Sequence, residues 1–237
     1  MGLITYAIGD IHGEFQLLQK ALEWIEQDSG DDPARVVFLG DYIDRGSRSA
    51  HVVLRLMEGP TNPKHEWITL KGNHEDLALN DFTSWMCNGG RETEASYFQL
   101  LGSSTIPKDH LNWMEKLSLS FYDDKRFFSH AGINPARTLT EQTFHDLLWS
   151  RNDFRHWGSV KPKLMLVHGH TPTKSGPIYS PGVGINLDTA ACFRGDLTVA
   201  AWRDDLEHPY IFQLNHYAAR EKEWADDKWV PRKKEEE

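Results

Sequence analysis

The stretch LITYAIGDIHG at residues 3–13 is a short apolar run that ends in a glycine and is followed by polar side chains. The same order recurs in RVVFLGDYIDRG at residues 35–46 and in WITLKGNHE at residues 67–75. Short apolar runs bounded by glycine predict buried strands, and the amphipathic segments between them predict helices. The first third of the chain therefore predicts a βαβαβα series around a mostly parallel sheet.

A Gly-Asp or Gly-Asn pair follows each of these strands and supplies Asp10, Asp41 and Asn73. Because the carboxyl ends of parallel strands meet at one edge of a sheet, we expect these side chains to gather there. Open α/β sheets bind their ligands at that edge. The sequence therefore predicts a functional site at the carboxyl edge of the first sheet.

The rest of the chain carries first a helical and then a strand pattern. Residues 81–119 predict a helical insert beside the site, with helices that only cover the core as the alternative. The strand patterns that follow are separated by glycine and proline and indicate a second, more antiparallel sheet. They are LSLSFY (117–122), KRFFSHAG (125–132), KLMLVHGH (163–170), GVGINLD (182–188), LTVAAW (197–202) and PYIFQL (209–214). The simplest architecture in the α/β class is two packed, mixed β-sheets with flanking helices, an α/β/β/α sandwich.

Length and composition bound the domain organisation. The 237 residues are 39% hydrophobic and carry a formal net charge of -9, and their mean hydropathy is -0.57. These values predict one soluble domain over residues 1–217. Residues 218–237 mix charges without clear periodicity and predict a charged C-terminal tail or a frayed helix.

Composition also disfavours several kinds of partner. No apolar run approaches the ~20 residues that a membrane helix needs, and the first strand lacks the features of a signal peptide, so a cytoplasmic protein without membrane contact is expected. The negative charge, without a basic stripe, disfavours nucleic acid. Cys87 and Cys192 are too few and too far apart for a disulfide framework and are expected to be reduced thiols. A monomer is the default expectation.

The strand-end residues are of the types that bind metal. Asp10 and His12 lie two apart, where the backbone can direct both side chains at one ion, although a hydrogen-bonded polar pair is the alternative at any single strand end. The carboxylate of Asp41 could bridge two cations about 3.5–4 Å apart. Asn73 offers a neutral oxygen. Because three strand ends repeat the pattern, a two-metal site is the stronger interpretation.

Further polar residues lie within the same motifs. Asp44 and Arg45 follow Asp41 by about one turn, and a helix N-cap with a solvated arginine is the alternative interpretation of this pair. His74 directly follows Asn73, so these neighbours could serve a substrate and a metal, respectively.

Histidines follow two of the later strands. SHAG at residues 129–132 and HGHT at residues 168–171 offer His130, His168 and His170. Carboxylate, amide and imidazole ligands without a thiolate suit Mn²⁺ or Fe better than a structural zinc site.

The order and spacing of GDIHG, GDYIDRG, GNHE, SHAG and HGHTP resemble those of the PPP metallophosphatases, in their bacterial and phage lambda-type branch. The resemblance runs from about Ile4 to Trp202 and includes NGG at 88–90, LLWSR at 147–151 and the NLDTAACFRGDLTVA segment. It implies the calcineurin-like metallophosphoesterase fold and a metal-dependent phosphomonoester hydrolase, in particular a protein serine/threonine phosphatase.

The resemblance also implies a role for each matching residue. The first metal ion would be held by Asp10, His12 and Asp41, and the second by Asp41, Asn73, His130 and His170. His74 would be the general acid, oriented by Asp44, while Arg45 and Arg151 would grip the phosphate. The implied cofactors are two divalent metal ions, with Mn²⁺ favoured and Fe or Zn as alternatives.

The HGH string at residues 168–170 leaves two histidines to choose from. Related nucleases and cyclic-nucleotide phosphodiesterases end in Gly-His-x-His, with both histidines on metal. Here Thr171 and Pro172 follow His170, which is similar to the phosphatase form. We therefore expect His170 to be the ligand and His168 to support it or to pack beside it.

Three functions follow from these patterns. The leading hypothesis is a phosphatase that acts on a phosphoprotein or a small phosphorylated substrate, with a metal-activated water attacking phosphorus in line. A dinucleoside polyphosphate hydrolase is the alternative, because its symmetrical bacterial form shares the DRG and GNHE strings; Trp85, Tyr97 and Trp113 would then stack on adenine instead of packing in the core. An inactive metal-binding scaffold is disfavoured because no expected ligand is missing.

Overall fold

The computed structural model describes residues 2–151, 154 and 163–232. Its strands are β1 (Ile4–Ile8), β2 (Ala34–Phe38), β3 (His65–Thr69), β4 (Ser120–Tyr122), β5 (Arg126–Ser129), β6 (Met165–His168), β7 (Ile178–Ser180), β8 (Gly184–Asn186), β9 (Leu197–Trp202), β10 (Tyr210–Leu214), β11 (Ala219–Ala225) and β12 (Lys228–Pro231). Its α-helices are α1 (Phe15–Ser29), α2 (Ser49–Glu58), α3 (Asn73–Asn80), α4 (Phe82–Trp85), α5 (Arg91–Leu101), α6 (Lys108–Glu115), α7 (Phe144–Trp149) and α8 (Ala191–Arg194). A π-helical turn spans Met86–Gly90, and a 3₁₀ turn spans Leu139–Glu141.

The first sheet contains the three motif strands side by side. Among the described residues its order is β12-β11-β10-β9-β1-β2-β3. β1, β2 and β3 are parallel, with α1 and α2 as their connections. The remaining strands of this sheet are antiparallel to their neighbours. The predicted βαβαβα series is confirmed, and all three motifs begin at the same edge.

The second sheet has the order β4-β5-β6-β8-β7. Its central strands β5, β6 and β8 are parallel, and its edge strands are antiparallel, so the sheet is mixed. The prediction that LTVAAW and PYIFQL belong to this sheet is wrong, because β9 pairs with β1 and β10 pairs with β9. β9 is buried along nearly its whole length. A continuous apolar run of this kind suits a central strand but does not specify which sheet contains it.

Hydrophobic clusters join the layers. Between the two sheets, Val37 of β2 and Val167 of β6 belong to one cluster. On the opposite face of the first sheet, Tyr6 of β1 packs in a cluster with residues of α1 and α2. On the outer face of the second sheet, Leu166 clusters with Leu147 of α7. Because successive strand residues point to opposite faces, each sheet contributes to two layers, and the predicted α/β/β/α sandwich is confirmed.

Residues 219–231 correct the prediction of a charged tail or frayed helix. This segment is a hairpin, with Trp224 of β11 opposite Trp229 of β12, and it extends the first sheet beyond β10. Both indole rings contact Tyr179 of β7. Two tryptophans anchor a segment that is otherwise mostly charged, which is too few apolar residues for a visible strand pattern. Residues 233–237 lie outside the described part, and the domain boundary at residue 217 stays a prediction.

Residues 81–119 contain α4, the π-helical turn, α5 and α6. Trp85 and Tyr97 are buried in a separate small core that these helices share with α2. The helical character of the segment agrees with the sequence, and its status as an insert stays a prediction. In the described part of the chain, no helix is both long enough and apolar enough to cross a membrane.

Candidate metal centre

The expected ligands meet at an edge that both sheets share. Asp10, Asp41 and Asn73 follow β1, β2 and β3, whereas His130 and His170 follow β5 and β6. Each of these residues is buried, with an exposed fraction of 7% or less. These side chains therefore gather at one edge, as the strand-end argument predicts, and their role as metal ligands stays a prediction.

The backbone of the site is strained at several residues that carry a Cβ. The φ angle is 44° at His12, 54° at Asp41 and 64° at His170, in a region that side chains other than glycine rarely occupy. Such strain clusters at functional sites. Gly169 permits a close approach, because a Cβ there would lie 2.0 Å from Oδ1 of Asp10.

His12 turns Nε2 toward the centre of the site. Its Nδ1–H donates to the carbonyl of Ile43 at 2.8 Å, and its Nε2 lies 3.3 Å from Oδ2 of Asp41. Burial alone lowers the pKa of His12, but the Asp41 carboxylate outweighs burial and raises it. The space between the two atoms therefore attracts positive charge.

The ring of His130 is anchored in the same way as the ring of His12, on the other side of Asp41. Its Nδ1–H donates to the carbonyl of Leu39 at 2.9 Å, so its Nε2 lone pair faces Oδ1 of Asn73 at 2.9 Å and Nδ1 of His170 at 3.2 Å. Histidine metal ligands commonly anchor their other ring nitrogen in this way. Burial lowers the pKa of His130 and keeps the ring neutral.

His170 is a buried imidazole with a ring nitrogen that can still bind another group. Burial, and after it the neighbouring His130, lowers the pKa of His170 to about 2. Its Nδ1 lies 2.9 Å from Oδ1 of Asn73. Among the described residues, its Nε2 has no hydrogen-bond partner. The ring is therefore uncharged near neutral pH, and a neutral imidazole can bind a cation.

Asp41 lies between the two histidine clusters. Its Oδ2 faces His12, and its Oδ1 lies 3.5 Å from Nε2 of His130. Burial disfavours its charge, but the surrounding histidines, His130 foremost, lower its pKa well below the usual range. Asp41 therefore offers one oxygen of an ionised carboxylate to each side.

Asp10 is turned toward the second sheet. Its two oxygens accept from the backbone N–H of His170 at 3.1 and 3.0 Å. Burial, followed by the carboxylates of Asp188 and Asp41, raises its pKa well above the usual range. Asp10 needs a nearby cation to be ionised, and Asp188 is a neighbour that the sequence interpretation did not identify.

The donor set fits two metal ions. His12, Asp41 and His74 form one candidate group, and Asp41, His130 and His170 form another, with donor atoms within 4.8 Å of one another in each. Because Asp41 is common to both groups, the donor atoms converge on two neighbouring positions. The first group differs from the expected set, since it contains His74 where Asp10 was expected.

His74 and Asp44 form a dyad beside these groups. Nδ1 of His74 donates to Oδ2 of Asp44 at 2.7 Å. The other oxygen of Asp44 accepts from Trp85 at 2.8 Å and from Thr93 at 2.7 Å. Asp44 is fully buried, so its three donors hold it, and through it the imidazole, in one orientation. Thr93 gave no recognisable signal in the sequence.

Glu75 organises the backbone that presents Asp41. Its carboxylate accepts from the N–H groups of Asp41 and Gly72 at 2.9 Å each, and from Tyr42 at 2.8 Å. Burial, and then the charge of Asp41, raises the pKa of Glu75 to about 7. The role of Glu75 was not predicted, although it lies within GNHE. Its place at the third position of α3, three residues after the N-cap Gly72, is the sequence signal for it.

The two arginines occupy different positions. Arg45 donates to Nε2 of His12 at 2.6 Å, and its guanidinium lies 5.3 Å from the ring centre of Phe193. Phe193, which is 69% exposed, was missed by the sequence interpretation because nothing in its surroundings marks it. Arg151 is exposed after α7; its charge is one of the lesser influences that lower the pKa of His170.

His168 lies beside the candidate groups but outside both. It is buried, its Nδ1–H donates to the carbonyl of Gly169 at 3.0 Å, and its ring meets Phe154 edge-on. The role of His168 beside His170 stays a prediction.

Comparisons with known proteins agree with this geometry. Residues 5–226 match the family model of the calcineurin-like phosphoesterases. Serine/threonine-protein phosphatase 1 of Salmonella typhimurium is 31% identical over 210 residues, which cover 83% of this chain and 90% of that protein. Serine/threonine-protein phosphatase 2 of Escherichia coli is 41% identical over 91 residues, which cover 36% of this chain and 38% of that protein.

Solved structures share the fold. A putative diadenosine tetraphosphatase is 20% identical, with a TM-score of 0.63 over 90% of this chain and 94% of the other. A protein serine/threonine phosphatase from Saccharomyces cerevisiae is 17% identical, with a TM-score of 0.62 over 96% of this chain and 82% of the other. At these identities the likeness concerns the fold alone.

Proposed function

The chain belongs to the calcineurin-like phosphoesterases, and on that premise we propose that it is a protein serine/threonine phosphatase. The observation that carries the proposal is the His74–Asp44 dyad beside two histidine clusters that share Asp41. This arrangement combines a proton donor with a cation-binding centre, as cleavage of an alkyl phosphate requires. The 31% identity with a serine/threonine-protein phosphatase supports the choice of substrate.

We propose that two divalent cations occupy the centre, Mn²⁺ in preference to Fe or Zn. The residues that would hold the first are Asp10, His12 and Asp41, and those that would hold the second are Asp41, Asn73, His130 and His170. When bound, such ions supply Lewis acidity, neutralise charge on a phosphoryl group and lower the pKa of an attacking water. The buried, neutral imidazoles and the ionised Asp41 carboxylate support this assignment.

The residues of the chain have separate tasks in this proposal. Arg45 and Arg151 bind the phosphoryl oxygens, where their charge complements the charge that spreads over these oxygens in the transition state. His74 donates a proton from Nε2 to the leaving oxygen. Asp44 holds the opposite nitrogen at 2.7 Å and stabilises the protonated ring before the transfer.

The test compares substrates on the purified chain in Mn²⁺. We expect a phosphoserine peptide to be hydrolysed with a kcat/KM at least about tenfold above that for diadenosine tetraphosphate, and EDTA to abolish both reactions. The opposite preference would replace the proposal with the dinucleoside polyphosphate hydrolase. A chain that retains no stoichiometric metal and hydrolyses neither compound would be the inactive scaffold.

The hydrolase alternative has one observation in its favour. Phe193 exposes its ring beside Arg45 and could stack on a nucleotide base. Two of the aromatic residues considered for adenine stacking are buried instead: Trp85 donates a hydrogen bond to Asp44, and Tyr97 shares one with His110. Both residues therefore pack in the core, which is the alternative that the sequence left open.

We further propose that the protein acts as a monomer in the cytoplasm, without nucleic acid or membrane as a partner. The net charge of -9 supports the exclusion of nucleic acid. The bacterial phosphatases to which the chain is similar support a cytoplasmic place. Size-exclusion chromatography with light scattering tests the monomer, and a dimer mass at micromolar concentration would refute it.

A further inference from the structure

A second polar cavity lies near the metal centre, and we call it the basic pocket. Its volume is about 280 Å³, and four basic side chains line it together with a single acidic one, Asp196. The basic side chains are Lys174, Arg194, Arg220 and Lys222. The chain as a whole has 35 acidic and 26 basic residues, so the charge of this pocket is opposite in sign to the net charge of the molecule.

Most of this charge is not neutralised within the chain. Arg194 reaches Asp196 only at 4.0 Å, and Lys222 donates to the uncharged side chain of Gln213 at 2.9 Å. In the described ranges, neither Lys174 nor Arg220 takes part in an ion pair at 4.0 Å or less. The basic pocket therefore has cationic donors available for an anion.

The pocket lies at the same sheet edge as the metal centre. β9 runs antiparallel to β1, with Val199 opposite Ile8, so Asp196, just before β9, lies at the edge where Asp10 follows β1. Leu214 at the end of β10 pairs with Leu197 and brings the start of β11 to this edge. Since neighbouring strands are about 4.8 Å apart, β10 lies roughly 10 Å to the side of β1.

Helix α8 connects the two sites directly. Phe193 in this helix contacts Arg45 at the metal centre, while the next residue, Arg194, lines the basic pocket. The backbone that enters α8 is held by Asp188, whose carboxylate accepts from the N–H of Ala190 at 3.0 Å. A ligand that reaches from Arg45 across α8 would enter the pocket.

We propose that the basic pocket binds a second anionic group of the substrate, a carboxylate or phosphoryl group on an acidic phosphopeptide whose scissile phosphoserine lies at the metal centre. This inference rests on the proposed function and specifies its substrate class. An extended peptide advances about 3.3 Å per residue, so the second group lies roughly two to four residues from the phosphoserine. Among the described residues, the lining contains no aromatic side chain, which favours a peptide anion over a nucleotide base.

The experiment uses two labelled phosphoserine peptides that differ only three residues after the phosphoserine, with aspartate in one and alanine in the other. The Mn²⁺-loaded wild-type chain is compared with the double variant Lys174→Gln/Arg220→Gln. The matched control is Lys108→Gln/Lys116→Gln, which removes two exposed charges at α6. We expect the wild type and the control to prefer the aspartate peptide by about three- to tenfold in KM. The double variant should lose this preference while its kcat on the alanine peptide stays within about twofold.

Three results would overturn the inference: no preference in the wild type, an unchanged preference in the double variant, or an equal loss on both peptides. The pocket would instead bind a polyphosphate if the wild type cleaves diadenosine tetraphosphate faster than the peptides and the double variant slows that cleavage. This result would reject the peptide proposal. If the wild type hydrolyses neither peptide, the proposed function fails. Fluorescence anisotropy with the same peptides then still reports whether the wild type binds the aspartate peptide more tightly and whether the double variant does not.

Discussion

The first sheet and the second sheet contribute to the metal centre in different ways. The loops after β1, β2 and β3 bring the oxygen donors Asp10, Asp41 and Asn73 together with the imidazole of His12, while β5 and β6 are followed by the imidazoles of His130 and His170. Glu75 holds the N–H of Asp41 within the first sheet, whereas Asp10 accepts from the N–H of His170 across the sheet interface. The second-sheet imidazoles depend on contacts across the sheet interface.

The anchors of two histidines make the difference concrete. His12 donates to Ile43, which lies in a loop of the same sheet. His130 belongs to the second sheet but donates to Leu39, directly after β2 of the first. The ligand group around His12 is therefore held by contacts within the first sheet, whereas the group around His130 forms only while the two sheets are packed in register. Variants that disturb one side should therefore leave the other more intact.

Asp41→Asn should have the largest effect, because Asp41 is common to both groups. Loss of its charge removes several kcal/mol of metal-dependent stabilisation, so we expect kcat/KM to fall about a thousandfold or more on every substrate. Metal content by mass spectrometry should fall below two ions per chain. Asp76→Asn, an exchange of the same kind on α3, is the control. Full activity in Asp41→Asn would mean that neither group is catalytic.

His74→Asn should separate proton donation from metal binding. We expect a loss of about a hundredfold in kcat on a phosphoserine peptide, whose alkoxide leaving group needs a proton. An aryl phosphate should lose far less, because its leaving group is stable as an anion. Two bound metal ions should remain. Equal losses on both substrates would remove His74 as the acid, and loss of one metal would assign it to the first group instead.

Glu75→Gln should weaken the ligand group around His12, which is held within the first sheet. The two oxygens of the carboxylate accept from three backbone N–H groups, whereas the amide has only one acceptor oxygen. We therefore expect unfolding in EDTA to require about 1–3 kcal/mol less free energy. The Mn²⁺ affinity should fall by roughly ten- to a hundredfold. Urea denaturation and calorimetric titration measure the two effects. Glu66→Gln, on the exposed part of β3, should change neither; stability equal to wild type in Glu75→Gln would contradict the organising role.

Val167→Ala should weaken the ligand group around His130, which depends on the sheet interface, and should have the smallest effect of these variants. Val167 is fully buried between the sheets, just before His168. We expect a loss of about 1–2 kcal/mol in stability and a few-fold weaker binding of one of two Mn²⁺ ions. Val36→Ala is the matched control, because Val36 is equally buried but faces the helices. If both variants lower metal affinity equally, the two sides of the centre do not differ in their dependence on the interface.

Part of the fold and site could be predicted because the signals are local. A glycine after an apolar run marks a strand end, which is why the sequence predicts Asp10, Asp41 and Asn73 at one edge of the sheet. The hairpin β11–β12 was missed because its anchors are only Trp224 and Trp229 in a charged segment. The sheet membership of β9 was missed because burial on both faces removes the alternation that would indicate its partners.

Local sequence specifies the types of donor groups, their order along the chain, and the sheet edge at which three of them meet. Strand ends and helix starts are short-range properties, so local pattern is enough to specify them. Which donor groups lie side by side depends instead on the tertiary packing. It oriented the His74 ring through Asp44, Trp85 and Thr93, let Asp41 face both histidine clusters, and placed the basic pocket beside α8. These relations join residues far apart in the chain, and they arise from the packing of whole sheets and helices.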